Sequence, residues 1–308
     1  MSDACGDGCG DTVDIDISEG ASLEARLPLE DFLRMERMPH IWCPGCGIGS
    51  VVTSFAEALK RKGIDQDNVV VISGIGCTGR VAGYVHLDSL HTTHGRAITV
   101  ATGMKLGNPD LHVVVISGEG DLMGIGGNHF IHAARRNLDI TVVCVNNLTY
   151  GMTGGQSSPS TPLAANSSTA PYGNFDQPFN FPWLAQAAGA TYVARWNSME
   201  TRRVTTAIEE AMEHRGFAFI EVMSPCTTLY LRRNRLGDGV DWLNYFKESS
   251  VIEHGADTSK LDIDFQGKIV MGKFVDNKDK IEFIDAMNQQ LSNVLGDDYE
   301  LYGTKDDE

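Results

Sequence analysis

The sequence predicts an α/β fold: a mostly parallel sheet with helices on both faces. Two observations predict it. Val113 to Ser117 and Ile140 to Val145 are short apolar runs of buried-strand type, and between them Ile125 to Asn137 sets small, apolar and basic residues at helical spacing. Two such strands joined by a crossover helix form a parallel βαβ unit, whose loops at the strand carboxyl ends lie side by side at one sheet edge. Those loops are GEGD (118–121) and NNLTYG (146–151). The same alternation then recurs, with a helix from Trp183 to Ala190, a strand from Thr191 to Trp196, a helix from Glu200 to Arg215 and a strand from Phe217 to Met223.

Taken in order, residues 1–22 are acidic and Gly-rich with little to bury, a segment expected to be mobile or held by a partner. Cys5 and Cys9 lie there, in a CGDGC spacing able to bind metal. Residues 23–236 are expected to form the main domain. Leu23 to Met38 has apolar residues at helical intervals broken by Pro28, which predicts a short helix. His40 to Val52 then contains Cys43 and Cys46 in a CxxC turn, with Pro44 and Gly45 supplying the bend. Gly47 to Lys60 continues as a helix, so both thiols sit near its positive end, which favours thiolate.

Val69 to Ser73 is a buried strand, and the GIGCTGR turn after it (74–80) carries Cys77 between glycines that admit a ligand closely. Helix-like and turn residues from Val81 to Asp88 lead to His91, His94 and Arg96 ahead of an Ala-, Thr- and Gly-containing helix, an arrangement suited to holding a diphosphate at a helix N-terminus. Gly151 to Pro182 is long and irregular, which marks it as functional or disordered, and its first part is expected to shape a pocket over the GEGD loop. The strand ending at Met223 runs into SPCTT, placing Cys226 on another strand-end loop. Residues 237–308 hold DWLNYF, the strand-like KIVMGKF and the helical KIEFIDAMNQQLSNVL, a C-terminal extension without recognisable chemistry.

Composition bounds the function. The chain has 308 residues, 42% of them hydrophobic, with no apolar run long enough to cross a bilayer and no charged-then-apolar leader, which argues for a soluble cytoplasmic protein. A net charge of −16 argues against nucleic acid or an anionic membrane as partner. Seven cysteines without a secretory leader favour metal or redox chemistry over disulfides. Cys43, Cys46, Cys77 and Cys226 are expected to converge at the strand-end edge, whereas Cys144, inside an apolar strand, reads as a buried small hydrophobe.

At that edge the βαβ geometry brings a carboxylate, Glu119 or Asp121, beside an amide oxygen, Asn146 or Asn147. Both are hard oxygen donors of the kind magnesium takes alongside waters and phosphate oxygens, and Gly118 and Gly120 let backbone approach such a phosphate. This pairing resembles the thiamine diphosphate motif, GDG followed after an interval by NN. The resemblance implies metal ligands at Glu119, Asn147 and the carbonyl of Thr149, with 147 − 119 = 28 matching the family interval and Glu standing where Asp is usual. Four thiolates hold either zinc or a [4Fe-4S] cluster. Oxidising a 2-oxoacid on thiamine without flavin or lipoyl requires a nearby one-electron acceptor, which zinc is not.

WCPGCGIG, GIGCTGR, HTTHGRAI, GEGD with NN, and YGMTGGQSSPSTP occur in that order between Trp42 and Pro162. Together they closely resemble the β subunit of 2-oxoacid:ferredoxin oxidoreductases, most of all those acting on 2-oxoglutarate. The resemblance implies thiamine diphosphate, Mg2+ and one [4Fe-4S] cluster, the last on Cys43, Cys46, Cys77 and Cys226. It also implies a separate α subunit in an (αβ)2 assembly, with ferredoxin, coenzyme A and a 2-oxoacid as partners. Gly76 and Cys77 then flank the cofactor, Gly118, Gly120 and Asp121 surround it, and His91 and His94 are candidates for its diphosphate. Arg80 is the candidate for a substrate carboxylate and, with His91, for a catalytic role. Some relatives carry Lys at Gly154, so a contact made there does not carry over. The extension from 237 is expected to cover the cluster or meet a subunit. The rivals are a pyruvate or branched-chain 2-oxoacid oxidoreductase, a non-oxidative thiamine decarboxylase or synthase, and a zinc-stabilised scaffold.

Overall fold

The structure, a computed structural model, is described for residues 29–303. Residues 1–22, with Cys5 and Cys9, lie outside that range. β1 (Val69–Ser73), β3 (His112–Gly118), β4 (Ile140–Asn146), β5 (Tyr192–Asn197) and β6 (Phe217–Met223) are the apolar runs read from the sequence. β2 (Asp88–His91), β7 (Ser250–Ile252) and β8 (Ile269–Asp276) complete an eight-stranded sheet in the order β2-β1-β3-β4-β6-β5-β8-β7. The pairs from β2 to β5 are parallel. β8 pairs antiparallel with β5, so the stretch after residue 237 extends this same sheet.

Period-two alternation sends successive strand residues to opposite faces, and both faces are covered. Val114, Ile116, Val143 and Ile220 pack under α1 (Ile48–Lys62) and α5 (Thr201–Glu213). Val113, Val115, Val142 and Phe219 pack under α2 (Ala97–Gly107), α3 (Gly127–Arg136) and α4 (Phe181–Ala188). Each such side chain contributes about 2 kcal/mol on full burial. The ends of α1 follow from local chemistry: Lys60, Arg61 and Lys62 sit at its negative end, and Gly63 closes it in the left-handed conformation at φ 61°. α6 (Gly239–Ser249) and α7 (Phe283–Leu295) follow in the C-terminal region.

Three features depart from the sequence expectation. β2 was not foreseen as a strand, because DSLH at a largely exposed sheet edge has no apolar alternation to reveal it. The helix expected from Ile125 is preceded by a wide helical turn, Gly120–Ile125, in which Gly126 N–H reaches back to Asp121 O. A second wide turn, Thr227–Leu231, follows Cys226, and turns of this kind recur at functional sites. The long segment from 151 to 180 has no regular element yet is tied by its own bonds, among them Ala164 N to Asn174 O at 2.7 Å and Phe179 N to Pro159 O at 2.8 Å. That makes it a packed loop rather than a loose one. No helix among the described residues is long and apolar enough to cross a membrane.

A cofactor ledge beside a cysteine cavity

Chain order places the site. From β1 the chain runs outward to β2 and returns to β3 on the other side of β1, so the loops after β1 and β3 diverge and open a crevice at the carboxyl edge. Gly76, Cys77, His94, Gly118, Glu119, Gly120, Asp121, Asn147 and Thr149 all line it, joined by Tyr150 to Thr153 of the following turn. Gly76 adopts φ 112° and faces open space, so backbone there is bare to a ligand. Gly120 has a different reason to be glycine: a Cβ would come 2.2 Å from the Tyr150 ring.

The two acids of GEGD have opposite surroundings, though each is 2% exposed. Asp121 Oδ1 accepts from Ile75 N at 3.1 Å and Gly95 N at 2.7 Å and meets His94 Nδ1 at 2.6 Å, while Oδ2 accepts from Ser117 Oγ at 3.0 Å. Its lone pairs are committed to joining three loops. Glu119 Oε2 accepts the Asn147 N–H at 3.2 Å, and Oε1 is buried without a hydrogen-bond partner among the described residues. Burial pushes the Glu119 carboxyl up to about 7, with the Asn147 N–H opposing. Asn147 commits Nδ2 to Ser224 O at 2.9 Å, leaving Oδ1 as its acceptor. An orphaned carboxylate oxygen, an amide oxygen and the neighbouring Thr149 carbonyl form a hard-oxygen set that fits magnesium.

The four cysteines also meet. Cys43, Cys46, Cys77 and Cys226 line one cavity with Trp42, Ile48, Asn147, Gly151 and Met152. Thr228 Oγ1 lies 3.9 Å from Cys43 Sγ and 3.6 Å from Cys226 Sγ, and Trp42 Nε1 donates to Cys77 O at 2.8 Å. α6 starts against the CxxC turn, where a Cβ on Gly45 would stand 3.1 Å from Gly239 Cα. The start of α1 does not decide the thiol chemistry as expected. Burial, with smaller contributions from the neighbouring sulfurs, raises the Cys46 thiol to about 11, and burial with Cys226 and Cys43 also raises Cys77. Among the described residues no group of three or more His, Cys, Asp or Glu side chains is arranged to hold a metal ion. The cysteines surround an opening instead, and Cys144 is fully buried in the core.

Arg80 and His91, read as catalytic, do not line the crevice. Arg80 is exposed on the short helical turn Thr78–Gly83. His91 Nδ1 lies 2.8 Å from Gly79 O and ties down the turn beyond Cys77, because β2 ends there and carries its ring toward that carbonyl. His94 does reach the crevice, with Nδ1 engaged by Asp121. Sequence reading missed Tyr150 and the buried polar chain in which Arg195, Glu221 and Ser160 engage Asn146. Charged residues inside the apolar strands β5 and β6 were its available signal.

A fold of this topology with a carboxylate–amide ledge at its switch point defines a class, the thiamine diphosphate-binding domains. Residues 74–222 match the family model "Thiamine pyrophosphate enzyme, C-terminal TPP binding domain". The chain is 50% identical over 269 residues to the 2-oxoglutarate synthase subunit KorB of Methanothermobacter thermautotrophicus, covering 87% of this chain and 93% of the relative. The same-named subunit of Methanocaldococcus jannaschii is 46% identical, covering 87% of this chain and 98% of the relative. A solved 2-oxoglutarate:ferredoxin oxidoreductase from Magnetococcus marinus, with 2-oxoglutarate, coenzyme A and succinyl-CoA bound, is similar at TM-score 0.77 and 31% identity, covering 88% of this chain and 92% of that one. The chain belongs to the family of KorB subunits of 2-oxoglutarate synthases.

Proposed function

We propose that this chain is the β subunit of a cytoplasmic, coenzyme A-dependent 2-oxoglutarate:ferredoxin oxidoreductase, holding thiamine diphosphate, Mg2+ and a [4Fe-4S] cluster. It converts 2-oxoglutarate, coenzyme A and oxidised ferredoxin into succinyl-CoA, carbon dioxide and reduced ferredoxin, or runs in reverse, within an (αβ)2 assembly. The observation that carries this reading is a shared wall: Cys77, Asn147, Gly151 and Met152 line both the ledge crevice and the cysteine cavity. When bound, thiamine diphosphate supplies the carbon nucleophile and electron sink, and the cluster accepts electrons singly. The residues do the rest. Glu119, Asn147 Oδ1 and the Thr149 carbonyl hold the metal, His94 and the bare backbone at Gly76 receive the diphosphate, and the four cysteines hold the cluster under the start of α6.

Arg80, exposed beyond Cys77, is the candidate grip for the substrate's distal carboxylate. Residues 23–236 are the binding domain, and the part of 237–308 that forms α6 covers the cluster. An α subunit as partner is supported by Tyr172, Phe175, Phe179 and Trp183, large apolar side chains exposed on and beside a well-tied loop. The test is co-purification with the partner subunit, iron and acid-labile sulfide analysis, and turnover on a 2-oxoacid panel with coenzyme A and ferredoxin. Preference for 2-oxoglutarate with cluster iron present is expected. Turnover without iron would favour a non-oxidative decarboxylase, and preference for pyruvate would overturn the substrate assignment.

A further inference from the structure

Arg195 on β5 and Glu221 on β6 are 1% and 0% exposed, an ion pair in the middle of the sheet. Arg195 Nε donates to Glu221 Oε2 at 2.6 Å and Nη1 donates to Leu261 O at 2.9 Å, but Nη2 is buried with no partner among the described residues. Burying two charges costs several kcal/mol per ion, and apolar side chains of similar volume often stabilise a fold as well or better. Stability alone therefore does not account for the pair. Its second carboxylate oxygen explains more. Glu221 Oε1 accepts Asn146 Nδ2 at 2.7 Å, which commits the donor end of that amide. Asn146 Oδ1 in turn accepts the Leu148 N–H at 3.0 Å and the Ser160 hydroxyl at 2.7 Å.

Leu148 is the consequence. It sits at φ 60°, a left-handed conformation that costs a branched side chain about 1–3 kcal/mol unless its surroundings impose it. It lies between Asn147 and Thr149, and with the chain turned there both neighbours line the same crevice. We propose that Arg195 and Glu221 are positioning residues for the metal and cofactor, acting through Asn146 to hold Leu148 so that Asn147 and Thr149 present their oxygens together. This inference rests on the cofactor assignment above.

The test uses the full chain co-purified with its partner subunit. Replacing the pair together, Arg195→Met with Glu221→Leu, removes the charges and keeps the volume. Expected are unchanged cluster iron, a small drop in cofactor-free unfolding temperature from the unpaired Asn146 Nδ2 and Leu261 O, and, beyond what that drop accounts for, calorimetric affinity for thiamine diphosphate with Mg2+ weaker by at least about tenfold, the usual effect of losing outer support around a metal. Turnover should return toward the parent value at saturating Mg2+ and cofactor. Parent-like affinity overturns the proposal, as does a drop in cofactor-free unfolding temperature that accounts for the affinity loss. If the double variant does not fold, Glu221→Gln, which keeps the shape, is judged on the same two readings. A parent complex that binds no thiamine diphosphate would instead defeat the cofactor assignment, and this inference with it.

Discussion

The ledge of Glu119, Asn147 and Thr149 is built from the two ends of one βαβ unit, whereas the cysteine cavity draws on four separate segments: the turn before α1 and the loops after β1, β4 and β6. The ledge is held by directed hydrogen bonds among buried atoms, with Asp121 and Asn146 each fixing several neighbours. The cavity is held by packing around it, and its sulfurs have few partners beyond Thr228. The difference teaches that the oxygen site is preorganised by directed protein bonds, while the sulfur site is shaped by the packing of the segments around it. Because both share Cys77 and Asn147, each half can be broken while the other is watched.

Cys77→Ala should have the largest effect, abolishing cluster iron, visible absorbance and ferredoxin reduction while thiamine diphosphate binding persists. Iron analysis beside calorimetry checks it, and an intact cluster would contradict the ligand set. Asp121→Ala should act on the fold itself, because Ile75 N, Gly95 N and Ser117 Oγ lose a buried charged acceptor. A loss of about 3 kcal/mol is expected in denaturant unfolding. Asn147→Leu should weaken Mg2+-dependent cofactor binding about tenfold or more with iron content retained. Unchanged affinity would remove the ledge from the mechanism.

The smallest effect lies away from both cavities. His214 is buried with Nε2 2.8 Å from Thr191 Oγ1, and burial lowers its pKa below the ordinary 6.5. Asp276 and Asp139 oppose that shift, and Lys278 and Lys273 add to it. The folded state thus favours the neutral ring, so its contribution to stability is complete above about pH 6.5 and declines as pH falls through the lowered value. Glu119, raised to about 7, acts in the opposite direction, so the measure is a difference: the unfolding temperature of the parent relative to His214→Gln should fall as pH falls over that window. A slope unaltered by the substitution would remove His214 from the pH dependence.

Much of the fold was legible because five strands are apolar runs and their helices carry helical spacing, signals that each segment holds within itself. β2 was not, since DSLH at an exposed edge buries too little to leave a pattern. The wide turns after Glu119 and Cys226 were hidden for a related reason: GEGD reads as a tight loop ahead of the helix from Ile125, and the close packing of Gly120 on Tyr150 and of Gly126 on Gly95 is with residues distant in the chain. In the site, the carboxylate–amide spacing and the four cysteines were readable as motifs. Residue type and sequence proximity do not fix direction, so the sequence did not show that Arg80 stands exposed beyond Cys77 or that the His91 ring turns to the Gly79 carbonyl.

By itself the sequence determined the parallel α/β sheet, the two loops that meet at its edge and the set of sulfur donors, all properties of local pattern. Only the tertiary structure decided which of the two acids keeps an oxygen without a hydrogen-bond partner among the described residues. Asp121 and Glu119 are chemically alike and two residues apart, but their partners arrive from other loops. Whether a buried oxygen is satisfied depends on atoms distant in the chain, and no local pattern records that sum.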